Sequence, residues 1–156
     1  MFLLKILVMS DSHGSKNNML DAVSLESPDV IIHLGDNIRD CTDIESLYPE
    51  IMLRSVRGNC DRGYQGLDID EFTLDGLRFF ATHGHLYNVK LGKHDILYAA
   101  KQRNTDVLLF GHTHVPYYKE ADGLAAINPG SISSGEKTYA VLELKNGILE
   151  CEHKVV

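Results

Sequence analysis

The chain has 156 residues, of which 44% are hydrophobic and 24% are charged, a composition that excludes wholesale disorder. Its 22 acidic residues outnumber its 15 basic residues, and the formal net charge of −7 argues against a protein that binds long nucleic acid through a basic surface. The three cysteines, Cys41, Cys60 and Cys151, form neither a CxxC zinc pattern nor a disulfide framework, so we expect a reducing, cytoplasmic location. No apolar run approaches the roughly 18 residues of a membrane helix, and no membrane partner is expected.

The first half of the chain alternates short apolar runs with helical patterns. Residues 3–9, 30–34 and 51–56 are mostly apolar, which is typical of strands covered on both faces. The run at 3–9 contains Lys5 and lacks the flanks of a signal peptide, so we interpret it as a strand. The intervening residues 18–26 and 40–47 are predicted helices, and this βαβαβ order predicts parallel pairing.

The second half of the chain predicts hairpins. Three turn dipeptides separate pairs of strand-like runs: Asp75-Gly76 between 69–74 and 77–82, Asp122-Gly123 between 115–120 and 124–127, and Asn146-Gly147 between 138–144 and 148–153. A helix is predicted over 90–103 and an apolar strand over 106–110. The pattern predicts an α/β fold with two packed, mixed β-sheets and outer helices, in a single domain spanning residues 1–156.

Side chains that commonly bind metals follow five of the predicted strands. They are Asp11 and His13, Asp36, Asn59, His83, and His112 and His114. Because ligands of α/β sheets bind beyond the carboxyl ends of the strands, we expect these groups to converge. In the two pairs of alternate residues, an extended chain would point both side chains to the same side. Glycines that precede Asp36, Asn59 and His112 would allow close approach of the backbone.

The donor set mixes carboxylates, imidazoles and one amide. It lacks a thiolate pair, which disfavours a structural zinc site, and it suits Mn, Fe, Ni or Zn better than Mg. Seven candidates are too many for one tetrahedral ion but suffice for two ions that share a carboxylate. Each motif alone has an ordinary interpretation, since Gly35-Asp36 or Gly58-Asn59 can simply form a turn. Their ordered occurrence at strand ends favours a metal site.

This ordered motif set resembles the calcineurin-like metallophosphoesterase superfamily, and more narrowly its small YfcE-like phosphodiesterases, which are related to the retromer subunit Vps29. The resemblance runs from residue 11 to 114 and continues in Asn128-Pro129-Gly130-Ser131. It implies a four-layer α/β/β/α sandwich. It also implies two divalent ions with Asp36 shared: one ion held by Asp11, His13, Asp36 and His114, and the other by Asp36, Asn59, His83 and His112.

One position departs from the wider superfamily. Many of its phosphatases have a histidine after the motif asparagine, where it assists the leaving group, whereas this chain has Cys60. The YfcE-like subgroup commonly has this cysteine. The resemblance therefore implies a catalytic set of Asp36, Asn59, His83 and Cys60. The cysteine in place of histidine argues against efficient hydrolysis of monoesters.

The sequence thus predicts an enzyme that hydrolyses small phosphodiesters through a binuclear centre and a bridging hydroxide nucleophile. Mn²⁺ is the expected ion, with Ni²⁺, Zn²⁺, Fe²⁺ or Mg²⁺ as alternatives. Two such ions outweigh the charges of Asp11, Asp36 and a hydroxide, so the pocket would attract phosphate despite the acidic chain. The alternatives are a non-catalytic Vps29-like interaction scaffold and a phosphomonoesterase or nucleotide pyrophosphatase. A homo-oligomer and the roles of His85 and Arg62 stay open.

Overall fold

Two five-stranded sheets pack face to face in the computed structural model of the chain, which describes residues 2–156. The elements are, in chain order, β1 (Leu4–Met9), α1 (Lys16–Glu26), β2 (Val30–His33), α2 (Cys41–Leu47), β3 (Met52–Ser55), β4 (Ile69–Leu74), β5 (Leu77–Thr82), α3 (His94–Gln102), β6 (Val107–Leu109), β7 (Pro116–Ala121), β8 (Leu124–Pro129), β9 (Thr138–Lys145) and β10 (Ile148–Val155). Short 3₁₀ helices at Ile38–Asp40 and His85–Tyr87 lie in two of the loops.

Both sheets are mixed, and each contains three neighbouring parallel strands. The first sheet has the order β10-β9-β1-β2-β3, in which β1, β2 and β3 are parallel. The second has the order β4-β5-β6-β8-β7, in which β5, β6 and β8 are parallel. The remaining pairings are antiparallel and include the three predicted hairpins. The predicted combination of early parallel strands and late hairpins is confirmed.

Three apolar clusters separate four layers. Alternate side chains of β1 divide between two of them: Ile6 and Val8 face the second sheet, whereas Leu7 and Met9 face α1 and α2. On the far side, α3 packs against the second sheet through a third cluster that includes Phe80. Each fully buried large side chain stabilises the fold by about 1.5–3 kcal/mol relative to exposure. The four-layer α/β/β/α sandwich is confirmed.

Local turn chemistry fixes the hairpins at the predicted positions. Asp75 and Gly76 have φ of 49° and 79°, and the other two turn dipeptides likewise have positive φ at both residues, as a type I′ turn requires. The helix predicted over 90–103 begins only at His94, because Gly92 adopts a φ of 156° that no helix accommodates. Within residues 2–156, the structure contains no helix long and apolar enough to cross a membrane.

Candidate metal centre

The predicted ligands meet where the parallel strands of both sheets end. Ligand atoms of Asp11, His13 and His114 lie within 4.8 Å of one another, and those of Asp36, His83 and His112 form a second such group. These residues follow β1, β2, β5 and β6, so the convergence depends on both sheets. Six of the seven predicted ligands are therefore brought together in two groups.

The two groups are contiguous. His13 Nε2 lies 3.9 Å from Asp11 Oδ1 and 3.8 Å from Asp36 Oδ2. The His83 Nε2 atom lies 3.7 Å and 3.4 Å from the same two carboxylate oxygens. His114 Nε2 is 3.1 Å from Asp11 Oδ1. Two carboxylates thus lie among imidazole nitrogens in one continuous cluster.

The backbone at the site is not extended. Five candidate ligands have positive φ: Asp11 (55°), His13 (42°), Asp36 (63°), His112 (71°) and His114 (62°). This left-handed conformation is uncommon outside glycine and costs on the order of 1 kcal/mol or more per residue. The prediction that residues two apart point to one side along an extended chain is therefore wrong. Left-handed turns direct these side chains toward the site instead.

All three predicted glycines allow the loops to approach one another closely, and a Cβ on Gly58 would collide with Asp36 Oδ1. Gly35 has a φ of 105°, and a Cβ there would lie 2.6 Å from the Gly58 nitrogen and 2.8 Å from His83 Nδ1. A Cβ on Gly111 would collide with Ser10 Oγ and lie 3.0 Å from an Asp11 carboxylate oxygen. Any larger residue would push the loops, and with them the candidate ligands, apart.

Neighbouring groups orient the histidines. His83 Nδ1–H donates a hydrogen bond to the Leu34 carbonyl at 2.7 Å, which directs Nε2 toward the carboxylates. His114 Nδ1 lies 3.2 Å from Ser134 Oγ, which leaves its Nε2 facing Asp11. Histidines that bind metals usually have such a partner on the second ring nitrogen. The arrangement therefore suits ligation through Nε2 at both residues.

Two buried carboxylates that the sequence analysis did not select hold the loops in place. Asp61 accepts hydrogen bonds from four backbone N–H groups, those of Asp36, Asn37, Ile38 and Gly58. Asp40 accepts bonds from Ser12 Oγ at 2.7 Å and from the Gly14 N–H at 2.8 Å. Their residue type and spacing resemble ordinary turn chemistry, so no sequence signal distinguishes them.

The histidines and carboxylates shift one another's pKa. Burial acts to raise the pKa of Asp36, but hydrogen bonds from His83 and from the Cys60 N–H outweigh it and hold the pKa well below its usual range. Burial acts to lower the pKa of His83, but Asp36 and Asp11 raise it overall. Burial and the neighbouring His83 lower the pKa of His112 to about 4, so this imidazole is neutral at physiological pH.

The charge balance of the site fits divalent cations. Asp11 and Asp36 are buried, and in the described part of the chain no lysine or arginine nitrogen lies within 4.0 Å of either carboxylate. Buried carboxylates are normally paired or bind metal. Their companions are imidazoles, and mixed carboxylate–imidazole sets suit Mn, Fe, Ni or Zn. The donor chemistry therefore fits the ions that the sequence predicts.

A family model described as the calcineurin-like phosphoesterase superfamily domain matches residues 4–147. The chain belongs to the calcineurin-like phosphoesterase superfamily. A probable metallophosphoesterase of Mycoplasma pneumoniae is 34% identical over 151 residues, which cover 92% of this chain and 91% of the relative. A phosphodiesterase of Methanocaldococcus jannaschii is 32% identical over 162 aligned positions, covering 90% of this chain and 93% of the relative.

Solved structures share the fold of this chain. A protein of Streptococcus pneumoniae, described as a predicted phosphoesterase, has a TM-score of 0.82 and 26% identity over 99% of this chain and 91% of its own. Vacuolar protein sorting 29 of Cryptosporidium parvum has a TM-score of 0.79 at 14% identity, covering 99% and 98% of the two chains, which shows a shared fold. The chain is thus a metal-dependent phosphoesterase by family, with residue groups that could bind metal.

The remaining predicted residues are Asn59, Cys60, Arg62 and His85. The exposed Asn59 donates from Nδ2 to Cys60 Sγ at 3.6 Å, and the Cys60 N–H donates to Asp36 Oδ1 at 2.9 Å. Arg62 and His85 line a cavity of about 190 Å³ beside the Asn59 loop. The buried His85 Nδ1 has no hydrogen-bond partner among residues 2–156. The structure thus places Cys60 beside Asp36, and Asn59, Arg62 and His85 along a neighbouring cavity.

Proposed function

We propose that this phosphoesterase hydrolyses small phosphodiesters with two divalent ions, as one domain over residues 1–156. One ion is assigned to Asp11, His13, Asp36 and His114, and the other to Asp36, Asn59, His83 and His112. The observation that carries the proposal is the pair of buried carboxylates surrounded by imidazoles, with no lysine or arginine among the described residues close enough to neutralise them. Mn²⁺ is the ion we propose, with Ni²⁺, Zn²⁺, Fe²⁺ or Mg²⁺ as alternatives, since a set of nitrogen and oxygen donors accommodates several divalent ions.

When bound, the ions supply positive charge to the phosphoryl oxygens and a hydroxide nucleophile at neutral pH. The protein contributes the positions of the donors. Asp36 Oδ2 lies 3.4 Å from His83 Nε2 in one group and 3.8 Å from His13 Nε2 in the other. This position between the two groups supports the role of Asp36 as the shared ligand. The hydrogen bond from His83 to Leu34 supports the same role, because it turns the imidazole toward Asp36.

Cys60 supports the preference for diesters. A monoester leaving group profits from a nearby acid, and a histidine supplies a proton more readily near neutral pH than a cysteine, whose ordinary pKa is about 8.5. Diesters with good leaving groups need this help least, and they carry one negative charge fewer. The similarity to an archaeal relative named a phosphodiesterase points the same way.

The free cysteines bear on the cellular location, and one structural neighbour bears on a second candidate function. The three cysteines are free thiols, which supports a reducing, cytoplasmic location. The likeness in fold to vacuolar protein sorting 29 leaves a non-catalytic interaction scaffold as the alternative. The complete set of candidate ligands favours the enzyme.

Rates with defined ions test these assignments. Metal-free protein is loaded with Mn²⁺, Ni²⁺, Zn²⁺ or Mg²⁺ and given a diaryl phosphodiester, the matching aryl monoester or a dinucleoside pyrophosphate. We expect metal-dependent turnover that is fastest for the phosphodiester with Mn²⁺. Faster cleavage of the monoester or pyrophosphate would instead establish one of those activities. The absence of turnover with every ion and substrate would favour the scaffold.

A further inference from the structure

The Cys60 thiol lies among candidate metal ligands that belong to other loops. A ligand nitrogen of His13, a carboxylate oxygen of Asp36 and Cys60 Sγ lie within 4.8 Å of one another. The Cys60 N–H donates to Asp36 Oδ1 at 2.9 Å, which holds the Cys60 backbone beside the proposed shared carboxylate. The thiol is exposed, so an ion can reach it without opening the fold.

This third group differs chemically from the other two, which offer only oxygen and nitrogen. Thiolate sulfur is a soft donor that suits Zn²⁺, whereas Mn²⁺ prefers harder donors such as carboxylate oxygen. A thiol that approaches His13 and Asp36 therefore gives the centre a means of distinguishing the two ions. The seven ligands assigned above provide no such distinction through sulfur.

We propose that Cys60 is a conditional metal ligand that binds a thiophilic ion such as Zn²⁺ together with His13 and Asp36, and that remains unbound when Mn²⁺ occupies the centre. In this step the S–H bond breaks, the proton passes to solvent, and the sulfur lone pair forms the bond to the ion. The proposal rests on the metal centre of the proposed function, and it adds a basis for the selectivity of that centre between Zn²⁺ and Mn²⁺.

The test uses spectra and metal affinities of the full chain. Co²⁺, a spectroscopic substitute for Zn²⁺, should give a thiolate-to-cobalt charge-transfer band in the native protein. The band should disappear in Cys60→Ser and persist in Cys151→Ser, a control that removes a thiol of β10 away from the centre. In Cys60→Ser, Zn²⁺ affinity should fall at least about tenfold. Mn²⁺ affinity should change by less than about twofold, since Mn²⁺ does not recruit the thiol.

Proton release gives an independent measurement. Zn²⁺ binding should release about one more proton per chain from the native protein than from Cys60→Ser, because only the native chain has this thiol to deprotonate. A native protein that binds Co²⁺ without the charge-transfer band, or equal Zn²⁺ affinities of native protein and variant, would overturn the inference while leaving the phosphodiesterase intact. A protein that binds none of these ions would overturn both.

Discussion

Asp61 accepts a hydrogen bond from the backbone N–H of Asp36 at 2.8 Å, so a buried carboxylate after β3 holds the loop after β2. The two residues lie in separate loops, 25 positions apart in the chain. The same carboxylate accepts the N–H groups of Asn37, Ile38 and Gly58. The position of the proposed shared ligand therefore depends on a residue that is not itself one of the assigned metal ligands.

Replacement of this carboxylate should loosen the site. In Asp61→Asn, the amide has one accepting oxygen, so some of the four backbone N–H groups lose their acceptor. We expect the free energy of unfolding to fall by about 2–3 kcal/mol, since a hydrogen bond to a charged group contributes about 1.5–3 kcal/mol. Urea unfolding measures the loss of stability, and Mn²⁺ titration measures the loosening of the site. The control Asp21→Asn, at an exposed position of α1, should change neither the stability nor the Mn²⁺ affinity. An Asp61→Asn variant with native stability and native Mn²⁺ affinity would show that Asp61 does not hold the site in place.

The metal stoichiometry follows from the two groups of ligands. Protein loaded with Mn²⁺ and then desalted should retain close to two ions per chain, as elemental analysis measures, because the two groups together supply donors for two ions that share Asp36. Saturation at a single ion would contradict the binuclear assignment.

Asp36→Asn tests the shared ligand. The amide carries no charge to offset the repulsion of two cations, so the variant should not retain the second ion. Turnover of the phosphodiester should drop by about a hundredfold or more, since metal assistance is worth several kcal/mol. Circular dichroism checks that the fold survives. Near-native turnover of the variant at saturating Mn²⁺ would exclude Asp36 as the bridge.

Cys60→His tests substrate preference. The native protein should have a higher kcat/KM for a diaryl phosphodiester than for the matching monoester, and the variant should narrow the gap by accelerating the monoester. General acid assistance typically contributes about 10²–10⁴-fold, which sets the upper range of the gain. Cys60→Ser is the matched control, because it lacks both thiol and imidazole and should leave the monoester slow. An unchanged ratio in Cys60→His would show that residue 60 does not set specificity.

The buried Glu26 should give the stability a dependence on pH. Its carboxylate accepts hydrogen bonds from the Tyr139 hydroxyl at 2.7 Å and from Lys154 Nζ at 3.1 Å, and Lys5 Nζ lies 3.1 Å away. Burial acts to raise the pKa of Glu26, but these three partners outweigh it and the pKa lies below its ordinary value. Because the folded pKa is the lower one, this stabilisation is present above the ordinary carboxyl pKa and is lost as the pH falls through the folded value.

We therefore expect Glu26→Gln to be less stable than the native protein at pH 7, with a difference that shrinks as the pH falls below about 4. Urea unfolding at a series of pH values measures the difference. Glu45→Gln, which alters an exposed residue of α2, is the control and should show no such trend. A constant difference from pH 7 to the acid range would exclude Glu26 as the source.

The sequence alone determined the features that depend on local chemistry. Turn dipeptides such as Asp75-Gly76 placed the hairpins, because positive φ at both central residues is a property of the dipeptide itself. The apolar run at β1 identified a strand buried on both faces, and the motif residues identified six candidate ligands that the structure clusters. Sites at the ends of parallel strands follow a general rule of α/β sheets, which made their convergence predictable.

Only the tertiary structure decided how those residues meet. The left-handed backbone at Asp11 and His112 depends on contacts between loops, since neither residue type requires a positive φ. The roles of Asp61 and Asp40 depend on backbone N–H groups from distant segments, which no local pattern records. The position of Cys60 Sγ beside His13 and Asp36 likewise arises when three separate loops pack together. The residue types provide the donor atoms, and the packing of the two sheets determines which of these donors lie close together.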